Sequence, residues 1–236
     1  MAGLTAAAVP KLKLKWAFGF PDDISAYAQP TVAVGRVFVG SAGGTVYALD
    51  AQTGCIRWSY GGLAGVRTAI TLASFGGRLV AFFGDLQANL YALDAADGKL
   101  LWKRKLDPHP AARITGAPQL SSGRLYVPVA SREEWFAANP FYECCTFRGS
   151  VAAVDAATGE VIWQTFTIAE AAQVTGKNKF NKPTWGPAGA GVWSAPVIDQ
   201  GTGLLYAVTG DNYSRPTTAH SDSLLEIGRA SCRERV

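Results

Sequence analysis

The chain has 236 residues, of which 48% are hydrophobic and 17% are charged, with a formal net charge of +4 at pH 7. This composition excludes a disordered chain, and the small charge without a basic run argues against nucleic-acid binding. No stretch approaches the roughly 20 apolar residues of a membrane-spanning helix, so no membrane span is expected. The 26 glycines and frequent aromatic side chains favour short strands and tight turns.

The N-terminus shows a strand pattern. Residues 11–16 alternate lysine with leucine or tryptophan, which predicts a strand that ends at Trp16. The basic head and apolar run of a signal peptide are missing here, so any export signal is expected upstream of this sequence.

Three segments repeat one pattern without gaps. Each consists of an apolar strand, an Asp-Ala-x-Thr/Asp-Gly turn and a second strand that ends in tryptophan. The aspartate of such a turn can accept backbone N–H groups, and the glycine supplies the positive φ that closes it. We therefore predict that Asp50, Asp94 and Asp155 are structural residues and not calcium ligands. The three segments span residues 46–58, 90–102 and 151–163.

The spacing of the repeats predicts a β-propeller. A further strand pair precedes each hairpin, as at residues 30–40, so four strands form one unit. Successive repeat tryptophans from Trp16 to Trp102 are 42 and 44 residues apart, within the roughly 40–45 residues of a four-stranded blade. The next interval, to Trp163, is 61 residues, and its excess predicts a loop insertion at 131–148. The predicted blade ends lie near 16, 58–60, 102–106 and 163–168.

A fourth blade is predicted to begin at residues 191–199 and to continue through 204–210. Residues 226–236 match no repeat, and we interpret them as a non-native tail translated from a sequencing adapter. The expected fold is therefore an all-β, partial and open β-propeller over residues 1–225. An open arc exposes strand edges, so we expect a chain of this extent to be unstable or to aggregate when expressed alone.

The repeat Tyr-Ala-Leu-Asp-Ala-x-Thr-Gly-x-x-x-Trp resembles the PQQ-enzyme repeat, found in eight-bladed quinoprotein dehydrogenases and in non-catalytic propellers. Three further runs are more specific: Tyr-Glu-Cys-Cys-Thr-Phe-Arg-Gly at 142–149, Gly-Pro-Ala-Gly-Ala-Gly-Val-Trp-Ser-Ala-Pro at 186–196 and Thr-Gly-Asp-Asn-Tyr-Ser at 209–214. With these runs, residues 3–225 resemble the polyvinyl-alcohol dehydrogenase branch of the quinoproteins. The resemblance implies about four of eight blades.

The resemblance also implies a function. It points to a fragment of a periplasmic alcohol dehydrogenase that uses pyrroloquinoline quinone (PQQ) and Ca²⁺, oxidises alcohols to carbonyls and passes electrons to a cytochrome c. The fragment itself is expected to be inactive. The alternatives are a non-catalytic propeller that acts as an interaction scaffold and a sensor domain that binds a ligand without turnover.

Four residues match cofactor-binding positions of the family. Arg67 would bind the carboxylates of the quinone, because a guanidinium group forms bidentate, charge-assisted bonds with carboxylates. Thr115 and Ser131 would each donate a hydroxyl hydrogen bond to the cofactor. Trp193 corresponds to the tryptophan on which the quinone lies, and the alternative is a tryptophan simply buried in its blade.

Carboxylate and amide side chains would hold the Ca²⁺, since this ion prefers hard oxygen ligands. Glu134 matches the family's glutamate, although the insertion leaves Glu133 and Glu143 open. The family's asparagine position falls on Asp211, so either Asp211 or Asn212 would be the ligand. The alternative for each glutamate is a solvated acidic loop.

Cys144 and Cys145 are adjacent and can close a vicinal disulfide, which requires an oxidising compartment. In methanol dehydrogenases such a ring covers one face of PQQ; here the pair comes from a different blade and would only mimic that role. Two reduced, buried thiols are the alternative. Cys55 is predicted to be a lone core thiol.

No catalytic residue is assigned within this chain. The family's general base is an aspartate in a later blade, beyond the C-terminus of this sequence. His109 and His220 are predicted to be surface residues and not proton shuttles. A Cys-x-x-Cys-His motif is missing, so haem c is expected only in sequence outside the fragment.

Overall fold

The computed structural model describes residues 3–62 and 64–229. Strands dominate, and the helical elements are a 3₁₀ helix at Ala6–Lys11 and a single-turn helix, α1, at Glu133–Phe136. The all-β prediction is confirmed. None of the helices in these ranges is long and apolar enough to cross a membrane.

The first two sheets are four-stranded antiparallel meanders in which the strands pair in chain order. Each corresponds to one predicted blade. The first sheet consists of β1 (Thr31–Ala33), β2 (Arg36–Gly40), β3 (Val46–Asp50) and β4 (Ile56–Tyr60). The second consists of β5 (Thr71–Phe75), β6 (Arg78–Gly84), β7 (Asn89–Asp94) and β8 (Leu100–Lys105).

The third sheet is a meander with one additional short strand, which pairs with its second strand. Its strands are β9 (Ala112–Arg113), β10 (Gln119–Ser121), β11 (Arg124–Ser131), β12 (Ser150–Asp155) and β13 (Val161–Phe166). Residues 132–149, including α1, connect β11 to β12.

A hairpin, a two-stranded ribbon and a fourth sheet follow. The hairpin is β14 (Gln173–Lys177) with β15 (Pro183–Gly186), and the ribbon pairs β16 (Ala188–Gly189) with β19 (Asn212–Ser214). The fourth sheet is β17 (Val197–Ile198), β18 (Leu204–Val208) and β20 (Leu224–Arg229), in that order. The sequence did not predict the hairpin or the ribbon.

The sheets stack face to face, which explains why their strands are apolar on both sides. In β7, Leu90 and Ala92 pack toward the third sheet, whereas Tyr91 and Leu93 pack toward the first. This alternation follows from the two-residue period of a strand. Residues 151–154 of β12 alternate in the same way between the fourth and second sheets. Among the strands of residues 3–62 and 64–229, none of the sheets closes into a ring.

The repeat tryptophans join consecutive blades. Trp58 of the first sheet donates from Nε1 to the carbonyl of Ala95, in the β7–β8 turn, at 3.0 Å. Its ring lies over Gly98, where a Cβ atom would stand 2.7 Å from Cε3. The same two contacts join Trp16 to Ala51 and Gly54, and Trp102 to Ala156 and Gly159.

The predicted turn chemistry is confirmed. Asp155 accepts the N–H groups of Ala157 and Thr158, each at 2.9 Å, and Gly159 closes the turn with φ +73°. Asp50 makes the equivalent bonds in the first sheet. These aspartates are structural, because their lone pairs are used inside the turns.

Two sequence expectations are wrong. Residues 12–16 form no strand, since no described strand before them offers a pairing partner. Cys55 is exposed and not a core thiol, because it precedes the outermost strand of its sheet, where Ile56 is also exposed.

The end of the described chain continues the fourth sheet. Residues 226–229 lie in β20 and pair with β18. Residues 230–236, the rest of the predicted non-native tail, lie outside the described residues.

Candidate functional site

One face of the stacked sheets carries every predicted site residue. In an antiparallel meander, the second strand ends on the side at which the first strand begins. Loops that enter each sheet and loops between second and third strands therefore share this side, which we call the loop face. Its described segments are 41–45, 61–62, 64–70, 85–88, 106–118, 132–149, 167–196 and 209–223.

Arg113 is the centre of the charged part of the loop face. The pairing of β9 with β11 places Arg113 opposite Ala130, and Ala112 opposite Ser131. The Arg113 side chain is half-buried, and its Nε atom is buried without a hydrogen-bond partner. Burial, and the charges of Arg132 and Arg67, lower the pKa of Arg113, whereas Glu134 opposes them.

Tyr213 lies beside Arg113 and links it to the predicted metal ligands. Its hydroxyl donates to the Ser131 carbonyl at 3.2 Å, and its ring stacks on Phe147 with centroids 6.4 Å apart. Burial and the neighbouring carboxylates of Glu134 and Asp211 raise the pKa of Tyr213. The loop face thus brings four predicted residues together around Arg113 and Tyr213: Arg67, Ser131, Glu134 and Asp211.

Glu133 has a structural role that distinguishes it from Glu134. Its carboxylate is 0% exposed and accepts the backbone N–H groups of Thr146 and Phe147 at 2.8–3.0 Å. The Tyr142 hydroxyl donates to the same carboxylate at 2.9 Å. Glu133 therefore ties the two ends of the insertion together, whereas Glu134 is exposed.

These bonds also determine the ionisation of Glu133. Burial alone would raise its pKa, but the His109 side chain and the two backbone N–H groups outweigh burial and lower it. Glu143, the third glutamate left open by the sequence, is exposed. Residues 3–62 and 64–229 hold no group of three His, Cys, Asp or Glu side chains arranged for a metal ion.

Asp211 and Asn212 also differ. The Asn212 amide donates to Ser221 Oγ at 2.7 Å and accepts the N–H of Thr218 at 3.3 Å. Its side chain therefore stabilises its own loop. Asp211 is exposed, and no hydrogen bond from a described residue reaches its carboxylate, so of the two it is the one available to a ligand.

Thr115 and Trp193 join two neighbouring entry loops. Thr115 Oγ1 donates to the Trp193 carbonyl at 2.7 Å, so its hydroxyl proton is used between the loops. Trp193 is half-buried. Its indole nitrogen packs on Gly210, where a Cβ atom would stand 3.0 Å away. The ring therefore sits directly beside the Asp211 loop.

The glycine-rich run at 186–191 is a close-packed layer between the third and fourth sheets. A Cβ atom at Gly186 or Gly149 would overlap a backbone carbonyl oxygen, that of Arg215 or Ala190 respectively. Gly189, with φ +114°, exchanges backbone bonds of 2.9 Å with Gly149 and Phe147. This layer holds the insertion against the Asp211 loop.

Cys144 and Cys145 are adjacent, and their sulfur atoms face each other. The pair docks on β15: the Trp185 N–H donates to the Cys144 carbonyl at 2.7 Å, and the Cys145 N–H donates to the Trp185 carbonyl at 3.3 Å. Among the described residues, its hydrogen bonds do not reach Arg67, Arg113 or Trp193. The cysteine pair therefore lies outside the Arg113 cluster, as do Thr115, Trp193 and Asn212.

The two histidines, predicted to be surface residues, are partly buried. His109 is 16% exposed, with Nε2 lying 3.2 Å from Thr146 Oγ1 and 3.4 Å from Glu133 Oε1. His220 is half-buried, with Nδ1 lying 2.8 Å from the Thr167 carbonyl. The sequence did not indicate this burial, because the loops that cover both side chains come from distant parts of the chain.

Sequence reasoning missed Arg113, Tyr213 and the role of Glu133. One signal was present for Arg113, which stands between alanine and isoleucine residues that are both fully buried. A cation inside an apolar segment is costly unless it is paired or functional. Neither the spacing nor the composition of the sequence indicated a role for Tyr213 or Glu133.

Comparison with known proteins agrees with the repeat assignment. A family model, PQQ_2, described as outer membrane protein assembly factor BamB, matches residues 12–140. The polyvinylalcohol dehydrogenase of Pseudomonas sp is 42% identical over 229 residues, covering 95% of this chain and 36% of that protein. The polyvinylalcohol dehydrogenase of Sphingopyxis sp. (strain 113P3) is 39% identical over 228 residues, covering 95% and 35%.

A solved structure shares the fold. The quinohemoprotein alcohol dehydrogenase from Comamonas testosteroni superposes with a TM-score of 0.65 at 22% identity, covering 90% of this chain and 33% of that one. The predicted partial propeller and the predicted resemblance to quinoproteins are confirmed. The chain spans about a third of the length of the curated relatives it matches.

Proposed function

Because the chain belongs to the PQQ_2 family of repeat proteins, we propose that it forms part of a quinoprotein alcohol dehydrogenase that oxidises alcohols to carbonyl compounds with PQQ. The observation that carries the proposal is the convergence of Arg67, Ser131, Glu134 and Asp211, from three separate segments of the chain, around Arg113 and Tyr213. A scaffold would have no need to gather such side chains on one face.

The cationic side of this cluster fits a polyanionic cofactor. PQQ carries three carboxylates, and the loop face offers Arg67 and a half-buried Arg113 whose Nε has no partner. An unpaired buried donor in a site with excess positive charge is stabilised by an anion. We assign Arg67 to a cofactor carboxylate. Ser131 is buried, and the Thr115 hydroxyl already donates to the Trp193 carbonyl, so these two would line the site without a free proton from Thr115.

The anionic side fits a divalent cation. Glu134 and Asp211 are exposed carboxylates that flank Tyr213, and hard oxygen donors are the ligands that Ca²⁺ prefers. Glu133 and Asn212 are less suitable, since their side chains already hold the surrounding loops. We therefore assign Glu134 and Asp211 to Ca²⁺.

When bound, PQQ supplies the oxidant for the alcohol. The residues of this chain would bind and orient. Arg67 would fix the cofactor through its carboxylates, and the Trp193 indole, supported by Gly210, would set the plane of the ring by stacking. The general base is not assigned to any residue of this chain.

Polyvinyl alcohol and other secondary alcohols are the proposed substrates, since the two relatives of 42% and 39% identity are polyvinylalcohol dehydrogenases. We further propose a periplasmic location and a cytochrome c as the electron acceptor. A disulfide between Cys144 and Cys145 would support an oxidising compartment, because disulfides persist there and are rare in the cytosol.

The test uses the full-length protein that carries this sequence. PQQ binding is measured by calorimetry with and without Ca²⁺, and turnover by reduction of a dye with 2-butanol or polyvinyl alcohol. We expect saturable, Ca²⁺-dependent PQQ binding and dye reduction that needs both components. Absence of PQQ binding would refute the proposal and favour the alternative of a non-catalytic scaffold.

The metal assignment has its own test. Glu134→Gln and Asp211→Asn should each weaken the Ca²⁺ dependence of PQQ binding by about tenfold or more, since each removes a charged ligand. The matched control is Glu143→Gln, an exposed glutamate of the same insertion, which should leave the Ca²⁺ titration unchanged. If Glu143→Gln has the larger effect, the ligand assignment within the insertion is wrong.

A further inference from the structure

Arg113 is held in place by the backbone and not by its own side chain. Its strand β9 is only two residues long, and it pairs with the last two residues of β11. The residues on either side, Ala112 and Ile114, are fully buried. These neighbours fix Arg113 at the rim of the loop face, next to Ser131, and leave its side chain directed away from the apolar core.

The guanidinium group of Arg113 lacks the partners that a half-buried cation normally has. Nε is buried without a hydrogen bond, and no ion pair reaches Arg113 within residues 3–62 and 64–229. Other half-buried arginines of the chain are satisfied: Arg36 and Arg148 each donate to two backbone carbonyls. Arg113 therefore differs from arginines that serve the fold.

The surrounding charges point to an anion. Burial disfavours the charged form of Arg113 and lowers its pKa, and the charges of Arg132 and Arg67 add to this effect. The single carboxylate that counteracts them, Glu134, is exposed and forms no ion pair with Arg113. A bound anion would remove both the repulsion between cations and the unpaired donor.

We propose that Arg113 binds a carboxylate of the cofactor, through Nε and one terminal nitrogen, as a second arginine alongside Arg67. This inference rests on the proposed function. A planar carboxylate fits the guanidinium edge in a bidentate geometry, whereas lysine at this position would offer only a point charge. Arg113 would thus be a binding residue that positions the cofactor next to Ser131 at the end of β11.

The experiment measures PQQ binding without alcohol, so that no turnover is needed. Full-length wild-type protein, Arg113→Met and Arg113→Lys are titrated with PQQ in the presence of Ca²⁺. The control is Arg78→Met, which removes an exposed arginine at the start of β6, on the opposite side of the sheets. Unfolding temperatures of the unliganded proteins are recorded in parallel.

We expect Arg113→Met to weaken PQQ binding by about 10- to 100-fold, the effect of losing a charge-assisted hydrogen-bond pair, with Arg113→Lys in between. Arg78→Met should stay within about twofold of wild type. The unliganded Arg113→Met protein should be at least as stable as wild type, because it loses an unpaired, half-buried charge.

The outcomes separate the two proposals. If the wild type does not bind PQQ, the proposed function fails and the inference with it. If the wild type binds PQQ and Arg113→Met binds it equally well, only the inference is overturned. A lower unfolding temperature for unliganded Arg113→Met would also overturn it, since Arg113 would then be a structural residue.

Discussion

The contact between Trp58 and Gly98 allows a quantitative test of how the blades are joined. Gly98 has φ +77°, and a Cβ atom there would stand 2.7 Å from the Trp58 ring. Gly77, in another turn of the same sheet, has φ +78° and no atom within 4 Å of a built Cβ. The two glycines therefore share one backbone conformation and differ only in their neighbours.

Alanine substitution should separate the two contributions to stability. The left-handed conformation costs an L-residue about 1–2 kcal/mol, and this cost applies to both Gly77→Ala and Gly98→Ala. Overlap with the Trp58 ring adds about 1–3 kcal/mol at Gly98 alone. We expect the free energy of unfolding to fall by about 1–2 kcal/mol for Gly77→Ala and about 2–5 kcal/mol for Gly98→Ala.

Urea denaturation of the full-length protein, followed by circular dichroism, measures both changes in the free energy of unfolding. The comparison is repeated in the Trp58→Ala background. There the two glycine substitutions should cost the same, because the ring that distinguishes them is gone. Equal costs in the wild-type background would refute the docking of Trp58 on Gly98. A difference that survives in Trp58→Ala would show that it has another origin.

Three further predictions concern the insertion, the turns and the glycine layer. Glu133→Gln turns an amide NH₂ toward backbone N–H donors and should destabilise residues 142–149 by about 2–4 kcal/mol. Hydrogen exchange of these residues should become faster. Glu143→Gln should leave their exchange unchanged. Bonds from backbone N–H groups and from the Thr158 hydroxyl lower the pKa of Asp155. Its contribution to stability is therefore present above the unfolded pKa, about 3.9, and is lost as pH falls through the lower folded pKa. Thermal unfolding between pH 5 and 2 should show this loss, and Asp155→Asn should reduce it. Gly189→Ala should disrupt the β16–β19 ribbon, measured as exchange at residues 188–189, and unchanged protection would contradict the close packing.

The blades were predictable because their determinants are local. Each repeat carries its turn aspartate, its glycine and its terminal tryptophan within 13 consecutive residues, and the tryptophan contacts recur at Trp16, Trp58 and Trp102. The N-terminal strand was predicted wrongly for the converse reason. The alternation at residues 11–16 is a local signal, but a strand also needs a partner for its backbone groups, which a local pattern does not supply.

The site was only partly predictable because its contacts join distant segments. A family resemblance could assign Arg67, Glu134 and Asp211 one at a time. It could not indicate that the Glu133 carboxylate would accept the backbone N–H of Thr146, or that Arg113 would lie beside Tyr213. Both contacts depend on how the insertion and the glycine layer fold. Adjacent glutamates with opposite roles cannot be told apart by spacing alone.

The arrangement of charges around Tyr213 is the feature that most needs a ligand to explain it. The Glu134 carboxylate partly offsets the lowering of the Arg113 pKa and raises the pKa of Tyr213. Among the described residues, however, no ion pair joins Arg113 and Glu134. Pairing would be the simplest way to satisfy a half-buried guanidinium group. Under the proposed function, Arg113 and Glu134 would instead be satisfied by a bound anion and a bound metal ion. For this reason PQQ and Ca²⁺ should bind cooperatively, and removal of either charge should weaken the binding of both partners.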